Sequence, residues 1–404
     1  MSMYNNVSRQ ASKKGIALLM VMGALMIIAI VGIELTQRSQ LAKHAVVGRR
    51  DSAKALELAK AAVRWSLFRL QLDQQLDAIP VIPGTNFGGA KDDLSEVQWT
   101  FPMTYPLPVG LTTAREDDLK DDMSREEVAS ADSLGGSFVT SITDVSAKIN
   151  LNDVGVAGPQ GSKVISGPAK VLLYLLSSPR FKKYFQYDAA QNINQIVFNI
   201  DDWTDSDTQV NNLGGGAEDQ EYPLEDSAYG IKNGKFYTLS EAKMISKMGL
   251  ELFEELKPFI TVYPFDASLP RVSSTPLNPK GKININTAPV EILAALISPQ
   301  ALTSNRERLS CAQKIAQARG GLAFRSISAG GTEPNFYTFL QQQCAAPPPN
   351  EKPPFIEPQV MRVLSVSSDV FEIEAVGISG NIEKTISAVV LRSSDGVKIL
   401  YWKI

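Results

Sequence analysis

Apolar and polar residues follow three different rhythms along this chain. From Gly15 to Ile33 no residue is charged, and about eighteen helical residues at 1.5 Å rise span roughly the hydrocarbon thickness of a bilayer. Beyond Glu34, the residues Leu35, Leu41, Ala45, Ala53, Leu56, Ala59, Val63, Leu67 and Leu70 recur near a helical period among Arg, Lys, Gln and Asp. That pattern continues the same helix as an amphipathic one. Apart from Gly48 no strong breaker appears before Pro80, so a single helix over 16–76 is expected. Phe138 to Asp144 and the segment ending Ile149-Asn150-Leu151-Asn152 alternate at period two, as half-buried strands do. The same signature returns over 363–366, 370–376, 386–392 and 397–402, with Gly380-Asn381 and Asp395-Gly396 at turns, and predicts a closing β-meander. Between these strand-rich ends lies a mostly helical stretch, roughly 153–358.

That stretch repeats itself. Ala147-Lys148-Ile149-Asn150-Leu151-Asn152-Asp153 and Gly281-Lys282-Ile283-Asn284-Ile285-Asn286-Thr287 share the pattern K-I-N-apolar-N, each before an apolar helical run. Asp153 or Asn152, and Thr287 or Asn286, stand where a side-chain oxygen caps the first free amides of a helix. Pro289 fits the first helical turn, and Ser240 is the expected cap of a helix opened by 238–243. The pattern predicts two related helical lobes inserted into an α+β scaffold. The acidic run Arg115 to Asp132 reads as a loop or a short solvated helix.

Composition narrows the class. A chain of 404 residues exceeds what one core supports, and 44% apolar with 21% charged residues describes a body that folds in water. The net charge of -3 disfavours nucleic acid, which selects clustered basic faces. One histidine, His44, and two cysteines, Cys311 and Cys344, leave little for histidine catalysis or for a cysteine-built metal site. Outside the cytosol the cysteines can form a bridge, or they can remain two buried thiols. Arg9, Lys13 and Lys14 before the apolar run and Glu34 after it put the N-terminus in the cytoplasm and the body outside. A cleaved signal peptide is the alternative, but no A-x-A site follows the run.

The strongest chemistry is acidic: Asp201-Asp202-Trp203-Thr204-Asp205-Ser206-Asp207, then Gly214-Gly215-Gly216-Ala217-Glu218-Asp219. Clustered carboxylates repel unless solvated or bound to a hard cation, which takes six to eight oxygen ligands if it is calcium. The spacing D-x-x-D-x-D lacks the sixth-position glycine and terminal ligand of an EF-hand, so a solvated loop and a cation site both stand at this point.

Lys13-Lys14-Gly15-Ile16-Ala17-Leu18-Leu19-Met20 resembles the leader and mature start of type IV pilin-like proteins. That resemblance implies a prepilin peptidase that cuts between Gly15 and Ile16, leaving the apolar run attached. Most such proteins carry glutamate as the fifth mature residue, where it neutralises a neighbour's N-terminal ammonium; here Met20 stands there. A buried carboxylate is costly in hydrocarbon unless paired, so a subunit with nothing above it needs none. The departure, the D-W-x-D-x-D and G-A-E-D runs, Tyr222, Lys232-Asn233-Gly234-Lys235-Phe236 and the N-I-N-T-A-P element together resemble the protein K family of type II secretion minor pseudopilins.

The resemblance implies a pilin-like long N-terminal helix packed on a small antiparallel sheet, with a large inserted helical domain of two lobes. On that reading residues 1–15 are the leader and 16–76 the transmembrane and amphipathic helix. Residues 77–152 with 359–404 form the pilin-like α/β domain, 153–280 the first lobe and 281–358 the second. The implied function is that of a tip subunit of the periplasmic pseudopilus in the inner membrane. It would start assembly with other minor pseudopilins and the major pseudopilin, without catalysis. The implied cofactor is structural calcium, held by Asp202, Asp205, Asp207, Glu218 and Asp219, with Asp201 a further candidate. Residues 281–296 also resemble the opening of a helix-hairpin-helix DNA-binding domain, but Pro299 stands where that motif needs an amide donor. Lys314, Arg319 and Arg325 are then surface or capping charges. A type IV pilus minor pilin and a membrane-tethered calcium-dependent hydrolase are the competing functions.

Overall fold

In the computed structural model, the described residues are 4–77, 99, 101–106, 135–157, 164–185, 189–206, 230–265, 281–320, 323–328, 330, 334–344, 355–393 and 396–404, with side chains from residue 18 onward. The acidic run 115–132 lies outside them. They belong to two compact units: residues 1–61, 105–138 and 376–385 form one, and residues 62–104, 139–375 and 386–404 the other.

The uninterrupted apolar and amphipathic pattern gives one helix, α1 (Tyr4–Asp77, 74 residues). Its side chains from Leu18 to Val46 are exposed, and Leu35, Leu41 and Ala53 stay exposed as well. The buried stripe is Ala55, Leu58, Ala59, Ala62, Val63, Ser66 and Leu70, three and four residues apart as a helix face requires. The first unit uses its alanines for close approach. A side-chain carbon on Gly377 would lie 2.0 Å from the Ala55 carbonyl oxygen and 2.4 Å from the Ala59 nitrogen.

The strands are β1 (Met103–Tyr105), β2 (Ser137–Asp144), β3 (Ile149–Asn150), β4 (Val156–Ala157), β5 (Val164–Ile165), β6 (Ile260–Thr261), β7 (Ile283–Asn284), β8 (Leu364–Ser365), β9 (Val370–Ser379), β10 (Ile382–Ser393) and β11 (Gly396–Lys403). One five-stranded sheet runs in the order β1-β2-β9-β10-β11. β10 and β11 pair antiparallel from Ser387↔Lys403 to Ser393↔Gly396, with a bulge at Val389/Val390. The β9–β10 turn places Gly380 at φ +58, a left-handed conformation suited to glycine. On β2 the residues Phe138, Thr140, Ile142 and Asp144 are all buried. The two polar members of that row are satisfied within the second unit. Thr140 meets Ser66 at 2.7 Å between hydroxyls, and Asp144 accepts from Thr287, Ser368 and the Ser146 amide. A buried ion pair between Asp73 and Arg392, whose guanidinium also donates to the Ser368 carbonyl at 2.8 Å, fixes the far end of α1 in that unit.

The second unit also contains the helical lobes. Their helices are α2 (Gly167–Leu176), α3 (Ala189–Thr204), α4 (Leu250–Leu256), α5 (Val290–Leu296), α6 (Asn305–Arg319), α7 (Phe336–Gln343) and α8 (Pro358–Met361). They share one continuous core from Ile149 to Leu364. Each lobe starts and closes on a two-residue parallel pair, β3 with β6 and β7 with β8. The second lobe's closing strand, Leu364–Ser365, therefore lies beyond residue 358, and the first lobe's opening strand lies before 153.

Several caps differ from the sequence expectation. Asn150 and Asn284 accept from the amides two residues on, at 3.0 and 2.9 Å, while Asn152 and Asn286 turn inward and cap nothing. Pro289 precedes α5 instead of filling its first turn. Thr238, not Ser240, forms a capping box with Glu241, whose carboxylate accepts the Thr238 amide at 2.8 Å.

Candidate functional site

Helix α3 positions the acidic turn. Ile193, Ile196, Val197, Ile200 and Trp203 form its buried stripe, and Trp203 lies parallel to Phe236 with ring centroids 6.2 Å apart. Because the helix is pinned through Trp203, the flanking acids of its last turn are drawn inward: Asp201 and Asp202 are buried and Asp205 half-buried. The Asp205 amide donates to the Asp201 carbonyl at 2.9 Å, and the Gly234 amide to the Trp203 carbonyl at 2.9 Å. The turn is thereby tied to the segment that carries Phe236. One carboxylate oxygen from each of Asp201, Asp202 and Asp205 lies within 4.8 Å of the others.

This grouping works against two electrostatic terms at once, like-charge repulsion and the negative end of a helix dipole. A hard cation offsets both, and the all-oxygen donor set suits calcium. Asp202 and Asp205 are thus brought together, and Asp201 joins them as a full member of the cluster. Asp207, Glu218 and Asp219 lie outside the described residues.

Gly15 and Ile16 fall within the backbone of α1, and their side chains lie outside the description. Cys311 on α6 and Cys344 at the end of α7 form a disulfide, with Cα atoms 5.3 Å apart and a separation of 33 in sequence. Lys314 donates to the Gln343 carbonyl at 2.7 Å and so caps the end of α7, whereas Arg319 donates to the carbonyls of Ile285 and Ala288 in the turn before α5.

Two groups escaped the sequence reading. Asp144 continues the apolar-in alternation of β2 as a buried carboxylate, and burial pushes its carboxyl above the usual range while bonds from Ser368, Thr287 and Ser146 pull it back. Its place in the alternation was the available signal. The second is the asparagine pair Asn152 and Asn286, for which the repeat itself was the signal. In the first lobe Asn152 donates to the carbonyls of Phe236 at 3.1 Å and Val262 at 2.8 Å and accepts the Phe236 amide at 2.8 Å. In the second, Asn286 donates to Phe324 and Val366, both at 3.0 Å, and accepts the Phe324 amide at 2.9 Å.

Residues 147–265 match the family described as type II secretion system (T2SS), protein K, in its first domain. Curated proteins named type II secretion system protein K are similar in sequence. That of Pseudomonas aeruginosa is 27% identical over 78% of this chain and 74% of that protein. That of Klebsiella pneumoniae is 27% identical over 49% of this chain and 53% of the relative, and that of Pectobacterium carotovorum 25% over 59% and 60%. The matched part of this chain therefore spans between about half and three quarters of these relatives. Among solved structures, a chain of the GspK-GspI-GspJ complex from the enterotoxigenic Escherichia coli type 2 secretion system aligns with a TM-score of 0.55 at 18% identity, covering 89% of this chain and 98% of that one. That likeness supports the fold: a long N-terminal helix, a small antiparallel sheet and an inserted two-lobed helical body. The first lobe and its acidic turn thus lie in the part of the chain, residues 147–265, that matches the type II secretion system protein K family.

Proposed function

We propose that the chain is a minor pseudopilin of a type II secretion system that sits at the tip of the periplasmic pseudopilus, helps start its assembly and caps the fibre. The observation that carries this reading is α1. Its uncharged stretch is exposed residue after residue from Leu18 to Ile33, it is long and apolar enough to cross a membrane, and it runs on without a break into the buried stripe from Ala55 to Leu70. A stretch of that kind is stable only in lipid or against other apolar helices. Arg9, Lys13 and Lys14 orient it with the N-terminus in the cytoplasm and the body in the periplasm.

A prepilin peptidase cuts between Gly15 and Ile16, so the apolar run remains as the single inner-membrane anchor. Met20 then occupies the place of the usual acid, so the subunit offers no partner to an ammonium above it and ends the fibre. Its lateral partners are other minor pseudopilins, as the composition of the E. coli complex suggests, and beneath them the major pseudopilin. The role is structural and involves no turnover.

Asp201, Asp202 and Asp205 hold calcium together with Asp207, Glu218 and Asp219 from the following segment. Bound calcium supplies the positive charge that lets these acids share one turn. The chain's own contribution is to fix the first ligands by burying Trp203 and by tying Gly234 to the helix end.

The test is to isolate the mature protein from membranes of its host, sequence its N-terminus and ask whether it co-purifies with the other minor pseudopilins. A mature chain that begins at Ile16 and retains those partners is expected. A chain that begins beyond Glu34 refutes the anchor and the function together. Hydrolytic activity abolished by Asp205→Ala in an otherwise folded protein would point to the enzyme alternative.

A further inference from the structure

The two asparagine networks allow the lobes to be superposed residue by residue. Asn150 and Asn284, and Asn152 and Asn286, are each separated by 134 residues, and the members of each pair accept equivalent main-chain amides. By that offset Leu151, Val154 and Gly155 correspond to Ile285, Ala288 and Pro289. The last turn of α3 approaches this turn in one lobe, and the last turn of α6 approaches it in the other. Their buried rows match as Ile193, Ile196, Val197 and Ile200 against Arg308, Cys311, Ala312 and Ile315.

The two helices end in opposite charge. The last turn of α3 carries Asp201 and Asp202 with no basic residue, and Asp201 Oδ1 stands 3.4 Å from where a side-chain carbon on Gly155 would lie. The last turn of α6 carries Arg319, whose guanidinium donates to the carbonyls of Ile285 at 2.9 Å and Ala288 at 2.7 Å. Carboxylate and guanidinium thus face equivalent turns. A cation at a helix C-terminus is favoured by the dipole and a carboxylate is disfavoured. The connections differ accordingly. Phe324 follows Arg319 by five residues, whereas Phe236 follows Thr204 by 32, and the extra sequence holds Asp207, Glu218 and Asp219.

We propose that Arg319 is the permanent, covalently attached counterpart of the cation that the acidic turn attracts, so that the second lobe holds its fold without metal while the first depends on it. The first-lobe half of this statement rests on the calcium reading above.

Amide hydrogen exchange on the full chain in detergent micelles separates the two halves. Chelation with EDTA should speed exchange in peptides spanning 199–206 and 234–238 and leave those spanning 316–324 unchanged. Arg319→Leu should speed exchange over 316–324 about tenfold, as loss of a charged hydrogen bond to buried carbonyls predicts, with or without calcium and without effect on 199–206. Arg319→Lys should restore part of the protection. Silence of Arg319→Leu over 316–324 overturns the proposal, even if calcium protects the first lobe. Loosening of both lobes by EDTA also overturns it. If EDTA moves neither lobe, the metal reading falls and takes the pairing with it; the pseudopilin function is judged separately, by co-purification.

Discussion

Replacing Asn152 by alanine removes three hydrogen bonds at once and strands three main-chain groups, the Phe236 amide, the Phe236 carbonyl and the Val262 carbonyl. Asn152 is buried at 6% exposure, so water reaches these groups only if the lobe opens. Each stranded buried group costs about 1 kcal/mol at the low end, which gives a loss of about 3 kcal/mol. At about 2.1 cal/mol/K of unfolding entropy per residue, the second unit then melts roughly 5 °C lower. Asn286→Ala strands the equivalent three groups in the second lobe and serves as an internal control: the same loss is expected. Asn152→Asp should be worse than alanine, because a carboxylate oxygen then faces the carbonyls of Phe236 and Val262 in place of a donor. Calorimetry of the full chain in detergent, wild type against each variant, reads the difference directly. Losses under about 1 kcal/mol in both alanine variants would refute the claim that these asparagines close the lobes.

Gly377→Ala places a carbon 2.0 Å from the Ala55 carbonyl oxygen, and since both neighbours are backbone the strand must shift; a loss of about 3 kcal/mol is expected in the same melting assay. Removing the disulfide in Cys311→Ser/Cys344→Ser opens a loop of 33 residues and should cost about 3 to 4 kcal/mol on the chain-entropy account, with accelerated proteolysis around α7 as the readout. Asp144 has its carboxyl raised by burial, so its charged form is less stable in the folded than in the unfolded chain. Stability from this group therefore falls as pH rises from the ordinary carboxylate range through the raised value. Asp144→Asn keeps an acceptor for the Ser146 amide and should flatten that part of the stability profile; an unchanged slope would show that Asp144 does not produce it. In Asp202→Asn with Asp205→Asn, addition of calcium should no longer raise the melting temperature of the chain, whereas the wild type should gain several degrees.

Much of the architecture can be read from periodicity. The helix was legible because apolar and amphipathic patterns follow each other with no proline before Pro80, and local chain physics alone then favours a single rod. β2 and the closing strands were legible because alternation at period two has one structural meaning on a half-buried sheet. The repeated K-I-N-apolar-N announced two lobes, and the aspartates at 201, 202 and 205 announced a turn of unusual charge. Which helix positions are buried was less legible: Leu35, Leu41 and Ala53 fit the period yet remain exposed.

Sequence by itself determined the rod, the strands, the duplication and the chemical character of the acidic turn, since each depends on neighbours a few residues away. Tertiary structure decided what Asn152, Asn286, Asp144 and Arg319 do, because, the nearby Ser146 amide apart, their partners lie between 31 and 224 residues distant along the chain. A capping asparagine and a core-bridging asparagine look identical in sequence. Only the approach of Phe236 and Val262, or of Phe324 and Val366, turns the second asparagine of each motif from a local cap into the bolt of a lobe.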